Sequence, residues 1–161
     1  MDLTKFFNTE NEKTEKVFKE KRYVAEPDDK MLTPAQKLEY DKILAFLKRM
    51  GGGFFLFMGY AGTGKTFVLT KVIEKMLATS KSKVILMTAP TNKAVRVMYD
   101  AADYFHSNLS YSTVHSGLGL KESIDKDGKQ IFVKEWGREV SFDFTDIATV
   151  DEVSMLTDEL S

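Results

Sequence analysis

At 161 residues, with 43% apolar and 29% charged content, the chain is one globular domain or a piece of one, not a disordered tract. A net charge of −1 and a pI near 6.2 exclude a broadly basic nucleic-acid coat but leave room for a local basic groove. The absence of cysteine excludes disulfides and cysteine-ligated metals. With no run near the roughly 18 apolar residues of a membrane span and no signal-peptide core, the expectation is a cytoplasmic protein with no membrane partner.

Residues 1–31 are charge-dense, above all from Glu10 through Arg22, and read as a mobile arm with a transient helix over 14–22 or, alternatively, a docking element. Thr33-Pro34-Ala35-Gln36 opens a helix that runs to about Met50, and Gly51-Gly52-Gly53 ends it. Phe54-Phe55-Leu56-Phe57-Met58 reads as a buried strand, and the amphipathic stretch from Phe67 to Leu77 as a helix. Lys83 to Thr88 is a second apolar strand; Thr91 to Tyr104, after Pro90, is a second helix. Residues 120–134 alternate around the turn Asp125-Lys126-Asp127-Gly128, predicting a hairpin inserted over about 118–140. Ile147 to Val150 form a last short strand that ends in Asp151-Glu152. Strands separated by helices imply an α/β fold with a parallel sheet flanked by helices.

Between the first strand and the helix after it lies Gly59-Tyr60-Ala61-Gly62-Thr63-Gly64-Lys65-Thr66, a full G-x-x-x-x-G-K-[ST] phosphate loop. Glycines at these positions let successive N–H groups turn inward, and the helix N-terminus adds partial positive charge. Lys65 is placed to meet the β- and γ-phosphates of ATP, and the Thr66 hydroxyl to bind Mg²⁺. Asp151 at a strand end is suited to hold the same ion, and Glu152 to polarise an attacking water; the plain alternative for this pair is a helix start.

Four segments in fixed order then carry a resemblance. They are the phosphate loop, Ala89-Pro90-Thr91-Asn92-Lys93-Ala94-Val95, Ser112-Thr113-Val114-His115-Ser116, and Val150-Asp151-Glu152-Val153-Ser154-Met155. The chain resembles the first RecA-like motor domain of superfamily 1 DNA helicases of the RecD/Dda type, phage-encoded members most of all, over about residues 32–155. The resemblance implies an ATP-dependent 5′–3′ helicase acting in DNA replication, with single-stranded DNA and replication or recombination proteins as partners. It gives Gln36 the adenine edge, although Thr33 and Gln36 also spell a capping box. Pro90, Thr91, Asn92, Lys93, Thr113, His115 and Ser116 would line the DNA path; the plain alternatives are an N-cap by Thr91 and a buried, hydrogen-bonded His115. The hairpin would be a wedge at the duplex junction, with Phe132 either stacking on a base or packing within the hairpin. Trp136 is expected to anchor the hairpin base, and His106 to be an exposed loop residue.

Complete members of that family continue past the position of Ser161 with a sheet strand, a γ-phosphate-sensing glutamine and a second motor domain. By that resemblance residues 32–161 are a truncated motor domain, its sheet incomplete at the C-terminus, marginally stable and with little activity alone. Two readings stay open beside the helicase: a non-helicase phosphate-loop ATPase, and a non-catalytic module binding single strands or a replication partner.

Overall fold

A computed structural model describes residues 22–23, 31–49, 51–80, 82–102 and 104–156. In chain order the elements are β1 (Arg22–Tyr23), α1 (Pro34–Leu47), α2 (Lys65–Thr79), β2 (Ile85–Ala89), α3 (Asn92–Ala101), β3 (Tyr104–Phe105), β4 (Leu109–Thr113), α4 (Val114–Gly117), β5 (Leu120–Ile124), β6 (Gln130–Lys134) and β7 (Ile147–Val150). Short 3-10 turns at Ser141–Phe144 and Val153–Met155 flank β7.

The helix starts follow local chemistry. Thr33 and Gln36 form a reciprocal capping box at α1 with Pro34 in the first turn, where its missing N–H costs nothing. Thr91 caps α3 through its hydroxyl, and Thr113 caps α4 in the same way. Only α2 among these begins on a glycine, Gly64, with no side chain capping it.

The central sheet is parallel, in the order β4–β2–β7, with Ile85 opposite both Leu109 and Ile147. Ile85, Met87 and Ala89 of β2 join one apolar core with Tyr40, Ile43 and Leu44 of α1 and Val68, Val72, Ile73, Met76 and Leu77 of α2. Burial of such side chains contributes roughly 1.5–3 kcal/mol each. Tyr104 enters the same core and donates its hydroxyl to the Thr70 carbonyl at 2.6 Å. At the N-terminal end of the sheet, the Asp146 carboxylate accepts from the Val84 N–H (2.8 Å) and from Lys83 (3.0 Å), fastening β7 to β2. The Val84 bond first, and Lys83 after it, hold this carboxyl below its ordinary range. On β4, burial pushes the Tyr111 phenol up, and the edge-on Tyr99 ring packs against it.

The antiparallel hairpin β5–β6 sits between β4 and β7 in the chain, in register from Leu120 opposite Lys134 to Ile124 opposite Gln130. Its bounds, and those of β7, match the sequence expectation. Asp125 closes the turn by accepting from the N–H groups of Asp127 and Lys129 through its side chain.

Several expectations need correction. Residues 54–58 form no strand, and Phe54, Leu56 and Met58 are exposed. A strand needs a neighbour to take its backbone bonds, and this run pairs with none of the described strands. Its hold on the core is the Phe46–Phe55 ring contact at 5.4 Å and the half-buried Phe57. Within the expected arm, Arg22 and Tyr23 pair in parallel with Tyr104 and Phe105, so this part of it is sheet. The rest of the arm lies outside the described residues. The first helix ends at Leu47, not Met50, and α3 stops at Ala101, leaving Tyr104 free to enter a strand. His106 is 9% exposed and accepts a hydrogen bond from the Asn108 N–H through Nδ1, so it is not an exposed loop residue.

Candidate nucleotide-binding site

The phosphate loop runs from residue 59 into the first turn of α2. Gly62 and Gly64 have φ of +78° and +81°, in the left-handed region that side chains resist. At Gly64 the reason is also spatial, since a Cβ there would lie 2.6 Å from Gln36 Nε2. The loop is braced from inside by the Thr63 hydroxyl, which donates to the Tyr60 carbonyl at 2.8 Å, while Gly59 and Ala61 are exposed. Because no side chain caps α2, its first-turn amides face the loop with the positive end of the helix dipole behind them. Lys65 folds back over the loop and donates to the carbonyls of Gly59 and Tyr60 at 2.7 and 2.9 Å. Phosphate oxygens are acceptors of the same kind carrying more charge, so they can replace those carbonyls at the ammonium.

The second half of the site comes from β7. Val150 pairs with Thr88, and the Asp151 N–H continues the ladder by donating to the Thr88 carbonyl at 2.8 Å. This carries Asp151 to the carboxyl end of the sheet, where the Thr66 hydroxyl donates to its Oδ2 at 2.6 Å across 85 positions of sequence. A hydroxyl and a carboxylate in contact are a donor set suited to Mg²⁺, which takes few protein oxygens and completes its shell with water and substrate phosphates. Thr66 and Asp151 therefore fit the ion that the loop motif implies. Glu152 is exposed and is the only non-glycine among the described residues with positive φ, +51°. Its N–H donates to Asp151 Oδ1 at 2.9 Å, which holds this backbone bend. Such strain persists where surrounding structure over-determines it, as at reactive sites.

Gln36 bridges α1 to the loop. Its Oε1 accepts from the Thr33 N–H at 3.0 Å, completing the capping box, and its Nε2 donates to the Thr63 carbonyl at 3.2 Å. Both ends of the amide thus have work inside the fold.

The segments expected to meet DNA lie side by side. Ala89 pairs with Thr113, so residues 90–93 and 113–116 leave adjacent strands at the same sheet end as Asp151. Pro90 is half-buried, and Asn92 and Lys93 are exposed. The hydroxyl of Thr91 accepts from the Ala94 N–H, and that of Thr113 from the Ser116 N–H, each at 3.2 Å. His115 departs from the hydrogen-bonded alternative: its Nε2 is buried without a hydrogen-bond partner among the described residues. Its ring stacks on Phe132, with centroids 3.7 Å apart and planes 12° from parallel. Phe132 thus packs on α4 rather than within the hairpin, and the ring links the two.

Two residues of this region were misplaced or missed in the sequence. Trp136 anchors nothing, since it is 98% exposed. The hairpin base is held instead by Arg138, which donates to Ser116 Oγ at 2.7 Å and to Glu135 at 3.0 Å.

Among the described residues no helix is long and apolar enough to cross a membrane. Comparison with known proteins agrees with the geometry. An uncharacterized protein of Acanthamoeba polyphaga mimivirus, R530, is 28% identical over 140 residues, covering 81% of this chain. The chain spans 28% of that relative's length. The AAA domain family matches residues 44–161, which includes the phosphate loop, Asp151 and Glu152. On that match, and on a parallel sheet presenting a phosphate loop and an acidic strand end, the chain is a phosphate-loop NTPase domain and belongs to the AAA domain family.

Proposed function

We propose that this domain is the ATP-binding motor segment of a DNA helicase of the RecD/Dda type, coupling ATP hydrolysis to 5′–3′ movement on single-stranded DNA. The observation that carries the reading is the convergence at one sheet edge of the Thr66–Asp151 pair with the ends of β2 and β4. Exposed Asn92 and Lys93, at the same end of the sheet as the phosphate site, support contact with a strand in addition to ATP hydrolysis. Ligand sites in parallel sheets form at the carboxyl ends of the strands, which is where all these residues lie.

In this reading the α2 amides and Lys65 hold the β- and γ-phosphates, and Thr66 and Asp151 hold Mg²⁺. The ion, when bound, neutralises charge on the transferring phosphoryl group. Exposed Glu152 orients and deprotonates the attacking water. Gln36 sits one hydrogen bond from the loop and, turned toward the nucleotide, has the amide donor and acceptor that adenine requires. Residues 90–93 with Thr113 and Ser116 contact the strand through short polar groups and helix-start amides, while His115, its ring stacked on Phe132, holds the hairpin beside them. Strand separation belongs to the whole protein, with replication or recombination proteins as its partners.

The test is a pair of variants. Lys65→Ala should remove detectable ATP binding by calorimetry; unchanged affinity would defeat the phosphate-loop assignment. Glu152→Gln in the whole protein should keep Mg²⁺–ATP binding and lose turnover by roughly a hundredfold or more. The helicase reading itself predicts ATP-dependent opening of a forked duplex with a 5′ single-stranded tail, and ATPase activity indifferent to single strands would overturn it.

A further inference from the structure

The stretch 134–138 presents an aromatic ring with no part in the fold. Trp136 is 98% exposed, an unusual state for the largest apolar side chain. The backbone beneath it is held by hydrogen bonds. The Arg138 N–H donates to the Glu135 carbonyl at 3.2 Å, closing a tight turn with Gly137 at φ +81°. The Glu135 N–H donates to the Gly119 carbonyl at 3.1 Å, tying that turn across the hairpin base. Arg138 binds both Glu135 and Ser116, and Lys121 approaches Glu135 at 3.6 Å. Ser116 in turn adjoins His115, whose ring is spent on Phe132. The turn is therefore fixed to a segment proposed to line the strand path, and carries a ring that the described residues leave uncovered.

We infer that Trp136 is the residue on which the hairpin stacks a base of single-stranded nucleic acid. The inference rests on the strand-binding reading above and reassigns the stacking platform from Phe132. A stacking platform needs a free π-face beside cations that meet the backbone. Trp136 has the free face, and the exposed Lys134, two positions before it, is the neighbouring cation. The nearest acid, Glu135, is neutralised by Lys121 and Arg138. The occupant is a nucleobase of any identity, because every base offers a π-face and the turn presents no hydrogen-bonding set beside the ring to read one.

Trp136 is the only tryptophan of the chain, so its fluorescence reports its own contacts. A fluorescein-labelled oligo(dT) titrated into the protein should gain anisotropy while the tryptophan emission is quenched, the two curves saturating together. Trp136→Ala should weaken the anisotropy-detected binding by about 5- to 150-fold, and Trp136→Phe by only a few-fold. Because the side chain is fully exposed, neither variant removes packing, and the wild-type quench requires no variant at all. A rise in anisotropy with unchanged tryptophan emission, or wild-type affinity in Trp136→Ala, would overturn the stacking role while leaving strand binding intact. No rise in anisotropy at any concentration would defeat the strand-binding reading itself, and the inference with it.

Discussion

Two apolar runs of equal length meet opposite fates in this molecule. Ile85–Ala89 is buried at every position, whereas Phe54, Leu56 and Met58 of residues 54–58 are exposed although the latter run is the more hydrophobic. The difference is the number of neighbours. β2 has β4 on one side and β7 on the other, and every residue is covered. β7, paired on one side among the described residues, alternates between half-buried and exposed. Residues 54–58 pair with no described strand and keep only the contacts of Phe55 and Phe57. Apolar composition sets how much a segment gains by being covered, while pairing decides whether it is covered. The phosphate loop is strung between these extremes, with an uncovered run before it and the buried helix α2 after it.

The comparison breaks first at its buried end. Met87→Ala should destabilise the domain by about 2–5 kcal/mol in denaturant titration, whereas Leu56→Ala should stay within about 0.5 kcal/mol of wild type. Similar losses for both would mean that residues 54–58 are covered in solution. At the loop itself, Gly64→Ala forces a side chain into the left-handed region at about 1–2 kcal/mol and drives Gln36 from the Thr63 carbonyl. Lowered stability together with weaker ATP binding is expected; an unchanged melting temperature would show that the loop relaxes without the Gln36 bridge. The smallest effect lies at the N-terminal end of the sheet, where Asp146 fastens β7 to β2. Its folded pKa is depressed, so its contribution is present above the unfolded value and lost as pH falls through the folded one. Asp146→Asn should thus be less stable than wild type near neutrality, with the gap closing below about pH 4. A gap independent of pH would assign the contribution to something other than the carboxylate charge.

Local signals were legible wherever a short stretch dictates its own geometry. The loop glycines announced a tight turn with inward N–H groups, Thr33 with Gln36 announced a cap, and Asp125 to Gly128 announced the turn of a hairpin whose strands fall where expected. The pairing of Thr66 with Asp151 was also anticipated, because a phosphate loop and an acidic strand end are chemically incomplete without each other. Leu109–Thr113 was not anticipated as a strand. Its serines at 110 and 112 give it little apolar character, and its place in the sheet comes from β2 lying alongside it. His106, Phe132 and Trp136 were misjudged or left open for the same reason. An imidazole or an aromatic ring is equally at home in a core and at a surface, and nothing within a few residues says which.

What the sequence by itself determined is therefore the phosphate-loop chemistry, the helix caps, the hairpin turn and the order of the segments that form the site. These depend on backbone preferences and functional groups within a few positions of one another. Tertiary structure alone decided which apolar run became the central strand, which ring packs on His115 and which ring is left outside. Burial is not a property of a residue but of the surfaces that arrive beside it, and in a parallel sheet those arrive from distant parts of the chain.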